Sequence, residues 1–401
     1  MSSSAIAKRI TTIAQGVSGL LDVVNDSRYL AARSDPTICD FVFGNPHEAP
    51  IEEFSEALRR WTVPQNKDWF AYKMSEPEAT SVVARTLRKI RGLPFEDEHI
   101  CMTNGAFAGL AASITALVDP GEEVIFVTPP WFFYEGIVIS AGANPVRVRC
   151  MEGSFDLDLK AIEAAITENT RAIIVNSPNN PTGKVYPPST LEGLGDILRS
   201  ASARFGRPVY LISDEAYSRI VFDRLPYPSP VGFYEYSLLI YTYGKTLLTP
   251  GERLGYIGIC PSMPASSEVA QALFLAQAVI GWAFPNSVLQ HALEDIEDLS
   301  IDIAGLQRKR DRMVEGLRAA GYEVHSPEGA FYLLPKSPVE DDKAFAEMLA
   351  ESGVFVLPAS IVELPGYFRI SLTASEEMIE RALPLFAEAI ARVRSVEALP
   401  T

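Results

Sequence analysis

Three residues of this chain stand where chemistry could be done: a lysine and an acid, each ending a separate apolar run, and an arginine inside a later one. Lys245 closes the run Ser237-Leu-Leu-Ile-Tyr-Thr-Tyr-Gly-Lys, ahead of the Thr249-Pro-Gly turn and a second apolar run from Leu254. A run this short and apolar, bounded by glycine and proline, predicts a buried strand. Lys245 is therefore expected at the carboxyl edge of a sheet, where open α/β sheets hold their ligands. A partly desolvated amine there is a nucleophile of the kind that forms Schiff bases. The plain alternative is a solvated lysine on a loop, since charged side chains are mostly exposed. The choice depends on what accompanies it.

Asp214, in Ser213-Asp-Glu-Ala-Tyr217, ends the run Val209-Tyr-Leu-Ile. An acid at the end of a buried strand needs a partner. A protonated ring nitrogen would supply one, and Tyr217 could then reach a phenolic oxygen on the same ring; otherwise Asp214 merely caps a helix. In Asn176-Ser-Pro-Asn-Asn180-Pro-Thr-Gly183, two prolines and a glycine fix an irregular loop and the aim of Asn180. Thr103-Asn-Gly105-Ala106-Phe107 puts a glycine at a helix start, where backbone N–H groups can face an anion, although most such glycines only shape a turn. Thr242 and Arg253 could add a hydroxyl and a guanidinium to that cradle. Trp131, in Pro129-Pro-Trp-Phe-Phe-Tyr134, either fills the core or stacks on a flat heteroaromatic ring. Arg369 sits in the alternating run Phe368-Arg-Ile-Ser, facing solvent or gripping a carboxylate with its planar donors.

The elements that must position these residues read as an α/β chain. Strands are expected over 123–128, 145–149, 172–176, 208–213, 237–242 and 256–260, with helices between most of them. Such alternation implies crossover connections and a mostly parallel sheet covered on both faces. Helices are also expected over 51–61 and 79–90, with an aromatic loop Trp69-Phe-Ala-Tyr72 between them. Helical periodicity lengthens from 262 to about 320, and an α+β tail follows, closing with a helix from 375 to about 393. At 401 residues the chain exceeds one core. We divide it into an N-terminal helix and arm over 1–45 that joins a smaller C-terminal α+β domain over 301–401, and a large domain over 46–300. Ile6, Ile10, Ile13, Val17, Leu20 and Val24 recur at helical spacing, and another subunit is the expected cover for their stripe.

Composition excludes several functions. A net charge of -16 argues against nucleic acid, which needs basic patches. The cysteines (Cys39, Cys101, Cys150, Cys260) form no CxxC pair, so neither a zinc site nor a disulfide framework is expected and a reducing, cytoplasmic setting is. No apolar run approaches the ~18 residues of a membrane span, and no signal peptide is evident. Gly244-Lys245-Thr246 mimics the end of a Walker loop, but Leu239 stands where that loop requires glycine.

Taken in chain order, these pieces resemble the fold-type I pyridoxal phosphate enzymes and, among them, the class I/II aminotransferases. Asn180-Pro-Thr-Gly, Asp214 with Tyr217, Lys245 with Arg253, and Arg369 carry the resemblance, which runs from Gly44 to Arg369. It implies a three-layer fold and pyridoxal 5'-phosphate held on Lys245 as a Schiff base, in a ping-pong reaction between an amino acid and a 2-oxo acid. Asp214 would keep the ring nitrogen protonated. Asn180 and Tyr217 would hold the phenolic oxygen, with Trp131 stacked on the ring. Gly105, the amides of Ala106 and Phe107, Thr242 and Arg253 would hold the phosphate. Tyr72 looks like the tyrosine that a neighbouring subunit contributes in such enzymes, which implies a homodimer with shared active sites. Arg369 would take the substrate carboxylate, with the Gly44 loop closing over it beside Asn180 and Trp131.

The chain also departs from the family. Pro77, Ser81 and Val82 stand where a glycine and a Leu-Arg pair are usual, and Ala359 replaces a glycine. Some relatives that take aspartate carry a lysine at the position of Phe107, so a monocarboxylic donor with an apolar or aromatic side chain is expected here. A lyase, decarboxylase or oxidase on the same scaffold would keep the same cofactor residues. A non-catalytic cofactor-binding sensor is the other alternative.

Overall fold

The computed structural model describes residues 5–32 and 35–397. The apolar runs form a seven-stranded sheet. After a short β1 (Cys39–Asp40), the strands are β2 (Ile100–Thr103), β3 (Glu123–Thr128), β4 (Asn144–Arg149), β5 (Thr170–Asn176), β6 (Tyr210–Asp214), β7 (Ser237–Thr242) and β8 (Gly255–Ile259). Their order across the sheet is β2-β8-β7-β6-β5-β3-β4. The five strands from β7 to β4 are parallel, and β8 runs antiparallel to both neighbours. Every residue of β6, β7 and β8 is buried. This is why their sequences are continuous apolar runs rather than alternating ones.

Helices cover both faces and complete three layers. On one face Leu110 and Ile114 of the helix Gly105–Leu117 share a core with Ile240 and Ile257. On the other, Leu191, Leu194 and Leu198 of the helix Pro188–Phe205 pack with Ile173 and Leu211.

A second core lies beyond the sheet. There β9 (Tyr332–Leu333), β11 (Leu357–Pro358) and β12 (Phe368–Ser371) form an antiparallel sheet in the order β11-β12-β9, while β10 (Val354–Phe355) pairs with β1 through Cys39↔Val354. Phe331, Phe345, Phe368 and Phe386 fill that core together with Cys39 and Phe41. The N-terminal arm is thereby stitched to the C-terminal segment.

Three expectations needed revision. The strand β2 was not read from the sequence, because four residues containing Cys101 and Met102 carry little β signal. The helical stretch after 262 breaks into Ser266–Val279, Ser287–His291 and Leu293–Ile296 before the helix Ile303–Ala320. Gly281 and Pro285 mark the first break, each removing support for a continuous helix. The N-terminal helix divides at Val17 into Lys8–Gly16 and Ser18–Asn25. Leu20 is buried with Tyr29, Val42 and Leu357, whereas Ile6, Ile10 and Val24 stay exposed. The stripe is therefore covered in part by its own chain.

Candidate active site

Three adjacent parallel strands end at the same edge. Asn176 of β5 pairs with Asp214 of β6, which pairs with Ile240 of β7. Lys245 follows on a single helical turn, Tyr243–Thr246, where the sequence suggested only a loop. These ends open into a cavity of about 350 Å³ lined by Gly44, Ala106, Phe107, Trp131, Asn180, Asp214, Tyr217, Thr242, Lys245, Arg253 and Arg369. Residues separated by up to 325 positions of chain thus line one cavity. Gly105 sits just behind this wall. Tyr72, expected to serve a neighbouring subunit, is 87% exposed and lies outside its own chain's cavity, tilted against Phe284 with ring centroids 4.9 Å apart.

Asp214 is only 5% exposed. Its Oδ2 accepts from the Tyr134 hydroxyl at 2.5 Å and its Oδ1 from the Ala216 N–H at 3.2 Å. The second bond closes a local turn; no helix follows for Asp214 to cap. Burial pushes its carboxyl above the usual range, against the opposing pull of Tyr134, Ala216 and Lys245. Asn176 Nδ2 donates to the Asp214 carbonyl at 3.0 Å, and Asn176 Oδ1 accepts from the Asn180 N–H at 2.7 Å. The Lys245 ammonium lies 5.7 Å from the ring centroids of both Tyr217 and Phe331. Among the described residues it forms no ion pair.

At the far wall Arg369 is 2% exposed. Its Nη1 donates to Asn180 Oδ1 at 3.1 Å and its Nη2 to the Val42 carbonyl at 2.9 Å. The guanidinium lies 4.2 Å from the Tyr332 ring centroid, and Nε has no hydrogen-bond partner among the described residues. No carboxylate among the described residues pairs with it. A buried cation without a counter-ion is costly, and a carboxylate ligand would relieve it.

The opposite end is built for an anion. Gly105 has φ +79° at the start of a thirteen-residue helix. A Cβ there would lie 2.7 Å from Arg253 Nη2 and 3.3 Å from Thr242 Oγ1. Only glycine leaves that space open between helix N–H groups, a hydroxyl and a guanidinium. Arg253 donates to the Pro250 carbonyl at 2.9 Å and pairs with no carboxylate among the described residues. An anion cradle, an amine and a buried acid suited to a ring N–H, lining one cavity, fit pyridoxal phosphate.

Two residues of the site were not singled out in the sequence. Tyr134, read there only as the end of an aromatic run, is the partner of Asp214; a buried tyrosine needs somewhere to place its hydroxyl, which was the available signal. Tyr332 lines the cavity beneath Arg369. Its position in a two-residue strand gave no sign of that.

A sequence model of the family described as aminotransferase class I and II matches residues 38–385. The aspartate/prephenate aminotransferase of Thermus thermophilus is 33% identical over 355 residues, covering 87% of this chain and 90% of that protein. An aspartate aminotransferase of Rhizobium meliloti is 32% identical, covering 79% and 80%. Among solved structures, the aspartate aminotransferase of Thermotoga maritima superposes with a TM-score of 0.85 at 26% identity, covering 96% of this chain and all of the other. Of the chemistries the cofactor residues leave open, transamination is the one these relatives carry in their names.

Proposed function

The chain belongs to the class I and II aminotransferases and is a pyridoxal phosphate-dependent transaminase; on that premise we propose that its donor is a monocarboxylic amino acid with an apolar or aromatic side chain. The observation that carries this reading is the aromatic wall of the cavity that Arg369 also lines. Phe107 stands there with Trp131 at 4.9 Å and Phe133 at 5.2 Å between ring centroids. Phe43, Leu110 and Phe132 extend the same apolar surface. The cations of the cavity are Lys245, Arg253 and Arg369, and each has a different task. Among the described residues of this chain one carboxylate is provided for, and a second is not.

When bound, the cofactor supplies a carbonyl to which the amino nitrogen is attached and a ring that draws electrons from Cα. Gly105, Ala106, Phe107, Thr242 and Arg253 would hold its phosphate. Asp214, desolvated and fixed by Tyr134, would keep a proton on the ring nitrogen. Asn180 and Tyr217 would hold the ring oxygen, with Trp131 against the ring. Arg369 fixes the substrate carboxylate, which leaves the Cα hydrogen within the reach of Lys245. Lys245 Nζ, freed once the substrate amine has taken its place, would be the base that removes the Cα proton and the acid that gives it back.

The homodimer is part of this proposal. Tyr72 shares its surface with Phe70, Trp282 and Phe284, all large, apolar and exposed. Such a patch marks an interaction site, and a second copy packed there would bring its own Tyr72 to the phosphate end. The same reading keeps 46–300 as the large domain, with 1–45 and 301–401 as the small one, and a cytoplasmic location.

The test is a half-reaction screen of the twenty amino acids, following the absorbance of bound cofactor. Aromatic and apolar donors should react fastest. Aspartate and glutamate leading by a wide margin would overturn the substrate assignment.

A further inference from the structure

Beneath the turn that presents Lys245 lies a buried carboxylate with no part in the chemistry above. Glu297 is 3% exposed. Its side chain accepts from Arg219 Nη2 and from the Tyr243 hydroxyl, and its backbone carbonyl accepts from Arg219 Nη1 at 2.7 Å. The Arg219 guanidinium also lies 4.7 Å from the ring centroid of Tyr241 and 5.7 Å from that of Tyr243. Tyr241 and Thr246 join their hydroxyls at 2.8 Å, and Ile301 N–H donates to the Thr246 carbonyl at 3.0 Å.

The arrangement has a clear geometry. Arg219 belongs to the segment that supplies Asp214 and Tyr217. Tyr243 and Thr246 belong to the turn that carries Lys245. The β6–β7 ladder ends at Asp214↔Ile240. One more backbone bond, from the Glu215 N–H to the Ile240 carbonyl at 2.8 Å, joins the two segments; further on they meet through side chains, and Glu297 is the carboxylate they share. A buried ion pair contributes little net stability against an apolar replacement, so its value lies in fixing one geometry.

We propose that Glu297 is a positioning residue: by holding Arg219 and Tyr243 together, it sets the placement of the Lys245 amine relative to Asp214 and Tyr217. The inference rests on the assignment of Lys245 as the cofactor amine. An amine displaced relative to a carboxylate and a phenol feels a different field, so its Schiff base titrates at a different pH.

The experiment is a pH titration of bound-cofactor absorbance in the holoenzyme. Glu297→Gln, which keeps shape and removes charge, should move the midpoint by about half a pH unit or more. Tyr243→Phe should move it in the same direction by less. Asp223→Asn is the control for stability alone: it removes an ion pair with Arg310 (2.7 Å) away from the cavity. That variant should lower the unfolding temperature and leave the midpoint in place. A wild-type midpoint in Glu297→Gln overturns the proposal, as does an equal shift in Asp223→Asn. Should Glu297→Gln fail to fold, Tyr243→Phe decides, and no shift there overturns it. Titrating absorbance that survives in Lys245→Ala would instead sink the assignment of Lys245 itself.

Discussion

The two ends of the cavity are finished to different degrees. At the carboxylate end, Arg369 is buried, held by Asn180 and Val42, and backed by the Tyr332 ring. At the phosphate end, Arg253 is exposed and held by one carbonyl, while Tyr72 lies outside the cavity. On the proposed reading, one chain suffices to recognise a carboxylate. The phosphate end has the look of a half-built wall, and the proposed second copy supplies the rest. Substitutions should therefore act through different quantities at the two ends.

Between the ends stands Lys245, and its loss should be the largest effect. Lys245→Ala should cut turnover about 10⁴-fold, and mass spectrometry after borohydride reduction should find no cofactor attached to the chain. Arg369→Ala should lower kcat/KM about 100-fold to 1000-fold, since a buried charge loses its partner, while cofactor retention on dialysis stays at the wild-type level. Tyr72→Phe should reverse that pattern: cofactor affinity falls about tenfold, as for a lost hydrogen bond to a charged group, with the substrate KM unchanged once cofactor is saturating. Equal effects of these two variants on both quantities would erase the contrast. Phe107→Lys should raise the rate with aspartate relative to phenylalanine about threefold to fivefold, the worth of a solvent-exposed ion pair.

The smallest effect concerns stability without cofactor. Burial holds the Asp214 carboxyl above its usual range. Its contribution is therefore present at low pH, while the acid is protonated, and is lost as pH rises through the raised value. Asp214→Asn should abolish that loss and raise the unfolding temperature of the cofactor-free protein at neutral pH by about 1–2 °C. In the holoenzyme the same change should be strongly deleterious to turnover.

The sequence was most informative where one constraint acted alone. The strands β3 and β7 were legible to the residue because their buried middles are unbroken apolar runs bounded by polar residues, Glu123 and Thr128 in one and Ser237 and Thr242 in the other. Lys245, Asp214 and Arg369 were legible because charged groups ending or interrupting such runs need a reason. Tyr134 and Tyr332 were not, since their partners are distant in the chain and an aromatic side chain reads as core. The strands β9, β10 and β11 are two residues each, too short for any period to register. Glu297 escaped notice for a related reason: one acid in a run of acids carries no mark of which one is buried.

Gly44 imposes a further condition on the carboxylate end. A Cβ at that position would lie 2.6 Å from a Phe331 ring carbon and 2.7 Å from the Tyr332 hydroxyl. The strand-like arm can settle onto the aromatic floor only because nothing projects from its backbone there. A lone methyl group at residue 44 would act as a wedge, propping the arm away from the arginine and letting water reach the bound acid.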